Sequence, residues 1–199
     1  MQVAYIVPSS KTLINRVLDK CDFTKPRVIV EYGAGEGCIT REIVRRMHQD
    51  STILLFELDP EFAEHLRRQF RHDHRVNILH TDASELSAEL DKRGIDHCDY
   101  IISGIPFSTM QIDKKRELLT TTYEALAPKS TSAFIIYQVS TELRQHATIF
   151  PHAKSEYCLQ NIPPMFVTVF SKMPVNGHNG KNGHAHSTNG KAAAVEVPV

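Results

Sequence analysis

The amino-acid sequence predicts an α/β fold: a seven-stranded, mostly parallel sheet with helices on both faces and an antiparallel last strand. Three observations lead there. Five short apolar runs, rich in β-branched residues, each hand over to a helix-spaced stretch, the alternation expected of βαβ units and a parallel sheet. The first hand-over, Arg27 to Thr40 (RVIVEYGAGEGCIT), places three glycines one residue apart between strand and helix. Such a loop brings bare N–H groups and a helix N-terminus to the edge of the sheet. The last two runs are joined only by a short link around Pro163 and Pro164. That link is too short for a parallel crossover, so the last two strands pair antiparallel.

Each element has its own signal. Residues 1–26 form an N-terminal helical segment, in which Ser9 or Ser10 caps a helix from Lys11 to Cys21 with Leu13, Ile14, Val17 and Leu18 on one face. The first strand holds Val28, Ile29 and Val30, and the helix after the glycines shows Ile39, Ile43, Val44 and Met47 at helical spacing. Thr52 to Glu57 is the second strand; Asp59 caps the next helix, Pro60 suits its first turn, and Phe62, Leu66 and Phe70 form its buried side. The third strand runs from Arg75 to His80 and is followed by a short helix from Ser84 to Lys92. Cys98 to Ser103 is the fourth strand, and a longer helix spans Ile112 to Leu126, ended by Pro128. The fifth strand is Ser132 to Gln138, with a short helix near Thr141 to Ala147. Glu156 to Asn161 and Met165 to Phe170 are the last two strands. Residues 27–172 thus make one functional domain. From residue 173 to 199 the chain turns to Asn, Gly, His, Lys and Ala, which cannot bury a core and predict a disordered tail; His178, His184 and His186 belong to it.

Composition excludes several classes. The 199 residues suit one domain with a full core. Twenty-three basic residues balance 23 acidic ones, which argues against a broadly basic nucleic-acid binder. No run of about 18 apolar residues is present, so no transmembrane helix is expected, and Met1 to Ser10 lacks the marks of a signal peptide. Four cysteines stand far apart with no CxxC pair. They read as reduced, mostly buried residues of a cytoplasmic protein, with no metal site among them.

Chemistry-bearing residues recur at the strand ends. Glu31, Tyr32, Gly33, Ala34, Gly35 and Gly37 surround the first loop. Glu57, with Leu58 beside it, ends the second strand about 20 residues further on, where a carboxylate can take both ribose hydroxyls of a nucleotide. Asp59 is its rival, with a ready structural use as a helix cap. Asp82 and Ala83 follow the third strand, and Asp82 too could simply cap a helix. The fourth strand ends in Ser103-Gly104-Ile105-Pro106-Phe107-Ser108.

The E-x-G-x-G-x-G spacing resembles motif I of the class I S-adenosylmethionine (SAM) methyltransferases. The resemblance implies a Rossmann-like sheet and SAM as cofactor, its methionine part lying against the loop backbone and its adenine meeting Asp82 and the Ala83 N–H. Ser103 to Ser108 resembles motif IV, the (N/D/S)-x-x-P-(Y/F) loop of N-methyltransferases. There a short polar side chain and a backbone carbonyl hold the N–H groups of the acceptor, and an aromatic face at Phe107 stacks on a base or meets an ammonium.

Over about residues 3–171 the chain resembles the bacterial phospholipid N-methyltransferases and the related rRNA adenine dimethyltransferases, through VPSSKTL, FELDPEF, ISGIPFS and NIPPMFVTVF. The implied activity is direct methyl transfer to a phospholipid head-group amine, phosphatidylethanolamine first, with peripheral contact at the inner membrane face. An ammonium must first lose a proton, and Tyr137 and Tyr5 are the candidate bases. RNA is the second acceptor. Ser103 and Phe107 stand where the rRNA enzymes have Asn and Tyr, no residues remain for their C-terminal helical domain, and the balanced charge also weighs against RNA. The phospholipid enzymes carry an amphipathic N-terminal segment, whereas this sequence starts almost at VPSS. A small amine as acceptor, and a SAM-binding module without catalysis, complete the alternatives.

Overall fold

A computed structural model of the chain describes residues 10–139 and 148–174. The elements run α1 (Lys11–Leu18), β1 (Val28–Tyr32), α2 (Cys38–Arg46), β2 (Thr52–Phe56), α3 (Pro60–Gln69), β3 (Val76–Leu79), a 3-10 turn (Ala83–Glu85), α4 (Leu86–Asp91), β4 (Tyr100–Ser103), a second 3-10 turn (Phe107–Thr109), α5 (Ile112–Ala125), β5 (Ala133–Gln138), β6 (His152–Cys158) and β7 (Met165–Ser171). The seven strands form one sheet in the order β3-β2-β1-β4-β5-β7-β6. The first five are mutually parallel, and β7 runs antiparallel to both of its neighbours.

The apolar runs have a simple cause: both faces of these strands are covered. Ile29, Ile53, Ile102 and Ile135 face one core layer, with Leu13, Val17, Ile39, Ile43 and Leu66 from α1, α2 and α3. Val30, Leu54, Ile101 and Ile136 face the other, with Leu86, Leu90, Leu118 and Leu119 from α4 and α5. So α1 shares the sheet's core rather than standing apart from it.

Two elements differ most from expectation. The α-helix α1 stops at Leu18, short of Cys21, because the chain tightens there: the Lys20 and Cys21 N–H groups donate to the carbonyls only three residues back. Strand β6 begins at His152, four residues before the expected Glu156, and ends at Cys158. It is an edge strand whose polar residues are mostly exposed. Its extent is set by continuous pairing with β7, from His152 opposite Ser171 to Cys158 opposite Met165, and no hydrophobic alternation announces it. The helix expected near Thr141–Ala147 and the tail beyond Pro174 lie outside the described residues.

The parallel strands all point one way, so the loops after β1, β2, β3 and β4 meet at the carboxyl edge of the sheet, where β5 also ends. The β6–β7 turn joins them, because Phe166 at the start of β7 pairs with Gln138 at the end of β5.

Candidate active site

The glycine loop leaves β1 and turns into α2. Gly33, Gly35 and Gly37 have φ of 70°, 53° and 73°, the left-handed region that glycine enters without a Cβ penalty. Gly37 is the N-cap of α2, and a Cβ there would lie 2.9 Å from Leu66 Cδ2 of α3. The last glycine therefore lets α2 start hard against α3. A Cβ on Gly33 would lie 3.3 Å from Ile105 Cγ1, so the glycine loop and the loop after β4 are in contact.

The two acids after β2 separate clearly. Glu57, 8% exposed, accepts the Gly35 N–H on Oε2 at 2.8 Å and the Asp59 N–H on Oε1 at 2.9 Å. Asp59 Oδ1 accepts the Glu61 and Phe62 N–H groups at 2.8 and 3.2 Å and caps α3. One carboxylate addresses the glycine loop and the other holds a helix. Leu58 between them is 62% exposed. After β3, Asp82 is exposed and caps the 3-10 turn through the Ser84 N–H at 2.9 Å, while Ala83 is buried.

Glu31 and Tyr32 lie beneath the loop. Glu31 is buried and accepts the Thr40 hydroxyl at 2.7 Å, tying β1 to α2. Burial pushes its carboxyl up to about 8, and the charge of Glu57 pushes the same way. Thr40 escaped the sequence reading, since a threonine in a first helical turn carries no signal without the strand residue it faces. The Tyr32 side chain, expected beside the cofactor, is instead fully buried on the α5 side, its hydroxyl 3.1 Å from Thr122 Oγ1. What Tyr32 offers the edge is backbone, and its carbonyl accepts the Gly104 N–H.

The loop after β4 departs from expectation in three ways. The Ser103 side chain is fully buried, and its Oγ accepts the Ile105 N–H at 3.3 Å; it shapes the loop more than it faces the acceptor. Phe107 is also fully buried, edge-on to Phe134 with ring centroids 6.1 Å apart. Directly after the exposed Pro106 the chain has turned inward, so this ring fills core and shows no face at the edge. What the loop presents is Gly104, Ile105 and Pro106. Third, the Tyr137 hydroxyl presses on Gly104 so closely that a Cβ there would collide with it. Burial and the neighbouring Glu31 push the Tyr137 phenol upward. A phenol held in its protonated form does not suit the role of base expected of it; Tyr5 lies outside the described residues.

Other features stand away from this edge. A cavity of about 430 Å³ opens at the opposite side of the sheet, among Lys20, Tyr100, Ser132 and Lys154. None of the loop residues above lines it. Arg45 and Arg46 lie within ion-pair reach of Glu42, and Arg67 and Arg68 of Glu64. These clusters are therefore interleaved charge and form no basic stripe. No described helix is long and apolar enough to cross a membrane.

Comparisons with known proteins agree with this geometry. Residues 8–158 match the family model of ribosomal RNA adenine dimethylases. An ornithine lipid N-methyltransferase of Singulisphaera acidiphila is 30% identical over 162 residues, covering 81% of this chain and 84% of that protein. A ribosomal RNA small subunit methyltransferase A of Mycoplasma capricolum is 32% identical over 120 residues, 56% of this chain and 43% of that protein. Among solved structures, a precorrin-6y methyltransferase of Geobacter metallireducens superposes with a TM-score of 0.66 at 14% identity, covering 87% of this chain and 94% of its own; that likeness speaks to the fold. The site fits the family's cofactor. Three glycines with no side chain line the turn, and a carboxylate is held against it by a backbone N–H. At the next strand end the capping acid Asp82 remains exposed. The chain belongs to the ribosomal RNA adenine dimethylase family of SAM-dependent methyltransferases.

Proposed function

We propose that the chain methylates the head-group amine of a lipid, phosphatidylethanolamine being the first candidate. The observation that carries this reading is the match to the ornithine lipid N-methyltransferase, which extends over 81% of this chain and 84% of that protein. The ribosomal RNA match to the Mycoplasma enzyme stops at 43% of that protein. An adenine acceptor is the second reading, favoured by the family model itself.

When bound, SAM would supply a methyl group on a sulfonium, to which an amine lone pair bonds in line while the C–S bond breaks and the sulfur leaves as a neutral thioether. The chain's own part is positioning. The glycine loop and the Ala83 N–H take the cofactor's two ends, and Glu57 takes the ribose hydroxyls in place of part of its present backbone contacts. On the facing loop, the Gly104 backbone holds the amine while Ser103 fixes the loop from beneath through Ile105. Tyr137 braces Gly104 as a neutral donor. The head-group ammonium loses its proton because desolvation between the two loops lowers its pKa, and water at the open edge takes that proton. No side chain is needed as a base.

The test supplies SAM with a labelled methyl group to phosphatidylethanolamine vesicles and, separately, to unmodified ribosomal RNA. Label in lipid is the expected result. Label in RNA alone, falling steeply with added salt, overturns the lipid reading. SAM bound without label in either moves the acceptor to a small amine or the chain to a non-catalytic role.

A further inference from the structure

The large apolar side chains left exposed among the described residues are unevenly placed. Leu58, Ile112, Val139, Tyr157, Leu159 and Ile162 all stand at the carboxyl edge of the sheet, and only Met173 lies beyond the far end of β7. Leu58 follows β2, Ile112 opens α5 and Val139 follows β5. The other three belong to the end of β6 and the turn into β7. Single exposed apolar residues are ordinary on any surface. Their confinement to the edge where an acceptor must enter is what calls for a cause.

The β6–β7 turn is the most prominent case. Ile162 is 84% exposed and Leu159 67%. The turn is not slack. Asn161, itself buried, accepts the Ser10 N–H at 2.9 Å and donates to the Pro163 carbonyl at 2.8 Å. Gln160 accepts from Arg16 at 3.3 Å. Pro163 and Pro164 restrict the backbone further. The tip is thus braced against α1 while its two apolar side chains point into solvent. The exposed Lys11 and the half-buried Arg16 stand on α1 beside it, cations suited to lipid phosphates.

We infer that the β6–β7 turn is a lipid-surface anchor: Leu159 and Ile162 enter the boundary between head groups and acyl chains and set the carboxyl edge onto the bilayer. This rests on the lipid-amine reading. A lipid acceptor keeps its chains in the membrane, so the edge that receives its head group has to lie on the membrane surface. Burying two aliphatic side chains together with local cationic attraction gives weak, reversible attachment, which suits an enzyme that must release one lipid and find the next.

The test uses the full chain and the double variant Leu159→Asp, Ile162→Asp. Both are sedimented with vesicles of phosphatidylethanolamine and phosphatidylglycerol, and SAM affinity reports that the fold is intact. The expected result is a vesicle partition coefficient lowered about tenfold or more, with SAM affinity unchanged. Methyl transfer to vesicles falls in step, while transfer to a dispersed short-chain phosphatidylethanolamine is kept. A second measurement exploits the absence of Trp from the chain: Ile162→Trp gives a single indole whose emission shifts to the blue when vesicles are added. Vesicle binding unaltered in the double variant, or no emission shift, overturns the anchor. So does a wild-type dimer in solution that the same double substitution dissociates, since the turn would then meet a second copy. The two readings fail separately. If no lipid is methylated but vesicle binding still depends on the tip, the anchor stands and the lipid-amine acceptor falls. If lipid is methylated equally by both chains and both bind alike, the acceptor stands and the anchor falls.

Discussion

From β1 to β3 the carboxyl edge is built by backbone. Three glycines in the left-handed region, a carboxylate fastened to a loop N–H and a capped helix start define it, and the side chains beneath are struts. From β4 to β7 the same edge is built by side-chain packing. Phe107 turns inward, Ser103 is covered, Tyr137 reaches across to Gly104, and apolar residues are left outside on Ile112, Val139 and the β6–β7 turn. The first half suits a ligand of fixed shape, held by donors and acceptors that need little adjustment. The shape of the second is decided by which rings fill the core and which residues remain at the rim, where the proposed lipid acceptor would enter.

Substitutions break the comparison in different currencies. The largest effect is expected at Phe107. If its ring is core, Phe107→Ala removes a fully buried aromatic and lowers unfolding free energy by about 3–5 kcal/mol, read by urea denaturation. Unchanged stability with a weakened acceptor affinity would return Phe107 to the acceptor site. On the other half, Gly35→Val places a β-branched residue at φ 53° and projects methyl groups into the turn. Affinity for SAM should drop on the order of 100-fold, about 2.7 kcal/mol, in equilibrium dialysis. Undiminished binding would mean that the cofactor lies elsewhere.

Glu31 gives a pH test of the backbone-built half. Its carboxyl titrates near 4.5 when unfolded and is pushed up to about 8 in the fold. Below 4.5 both states are protonated. Between 4.5 and 8 the unfolded chain is ionised while the native one still holds the proton, so the native state binds more protons and stability falls as pH rises. The slope approaches about 1.4 kcal/mol per pH unit, and above 8 the loss is complete. Glu31→Gln keeps an oxygen for the Thr40 hydroxyl and should flatten that slope, so thermal unfolding at pH 5 and pH 8.5 should diverge less than in the wild-type chain. Equal divergence would show that Glu31 is ionised in the fold.

The acceptor half has a paired test. Gly104→Ala should cut turnover about tenfold or more, because overpacking against the Tyr137 hydroxyl costs about 1–3 kcal/mol. Adding Tyr137→Phe removes the colliding oxygen and should restore part of the loss, while Tyr137→Phe alone should leave the pH–rate profile in place. Loss of the rise in rate with increasing pH in that single variant would make Tyr137 the base after all.

The same division explains what is legible in the sequence alone. The sheet, its reversed last strand and the glycine loop were legible because they depend on local patterns: apolar runs, three glycines and a short Pro-Pro link. The capping role of Asp59 was legible because capping has its own local signature in Asp59-Pro60. Orientation was not. Nothing local says that Phe107 points into the core and Pro106 out, that the Tyr32 ring crosses to Thr122, or that Thr40 meets Glu31, since each depends on a partner far along the chain. Strand β6 failed for the same reason, its length being a property of β7.

The smallest expected effect tests the division of labour between the two acids after β2. Asp59→Ala removes the cap of α3 and should cost about 1 kcal/mol of stability, a few degrees in melting temperature for a domain of this size, with SAM affinity unmoved. Glu57→Gln leaves α3 capped and removes the charge facing the loop. A hydrogen bond to a charged group contributes about 1.5–3 kcal/mol, so SAM affinity should weaken by roughly 10-fold or more with little change in melting temperature. The pair is informative because the two residues are neighbours on one short loop, and a general disturbance of that loop would move both readouts in both variants. Crossed effects, binding lost with Asp59 and stability lost with Glu57, would reverse the roles that their hydrogen bonds give them.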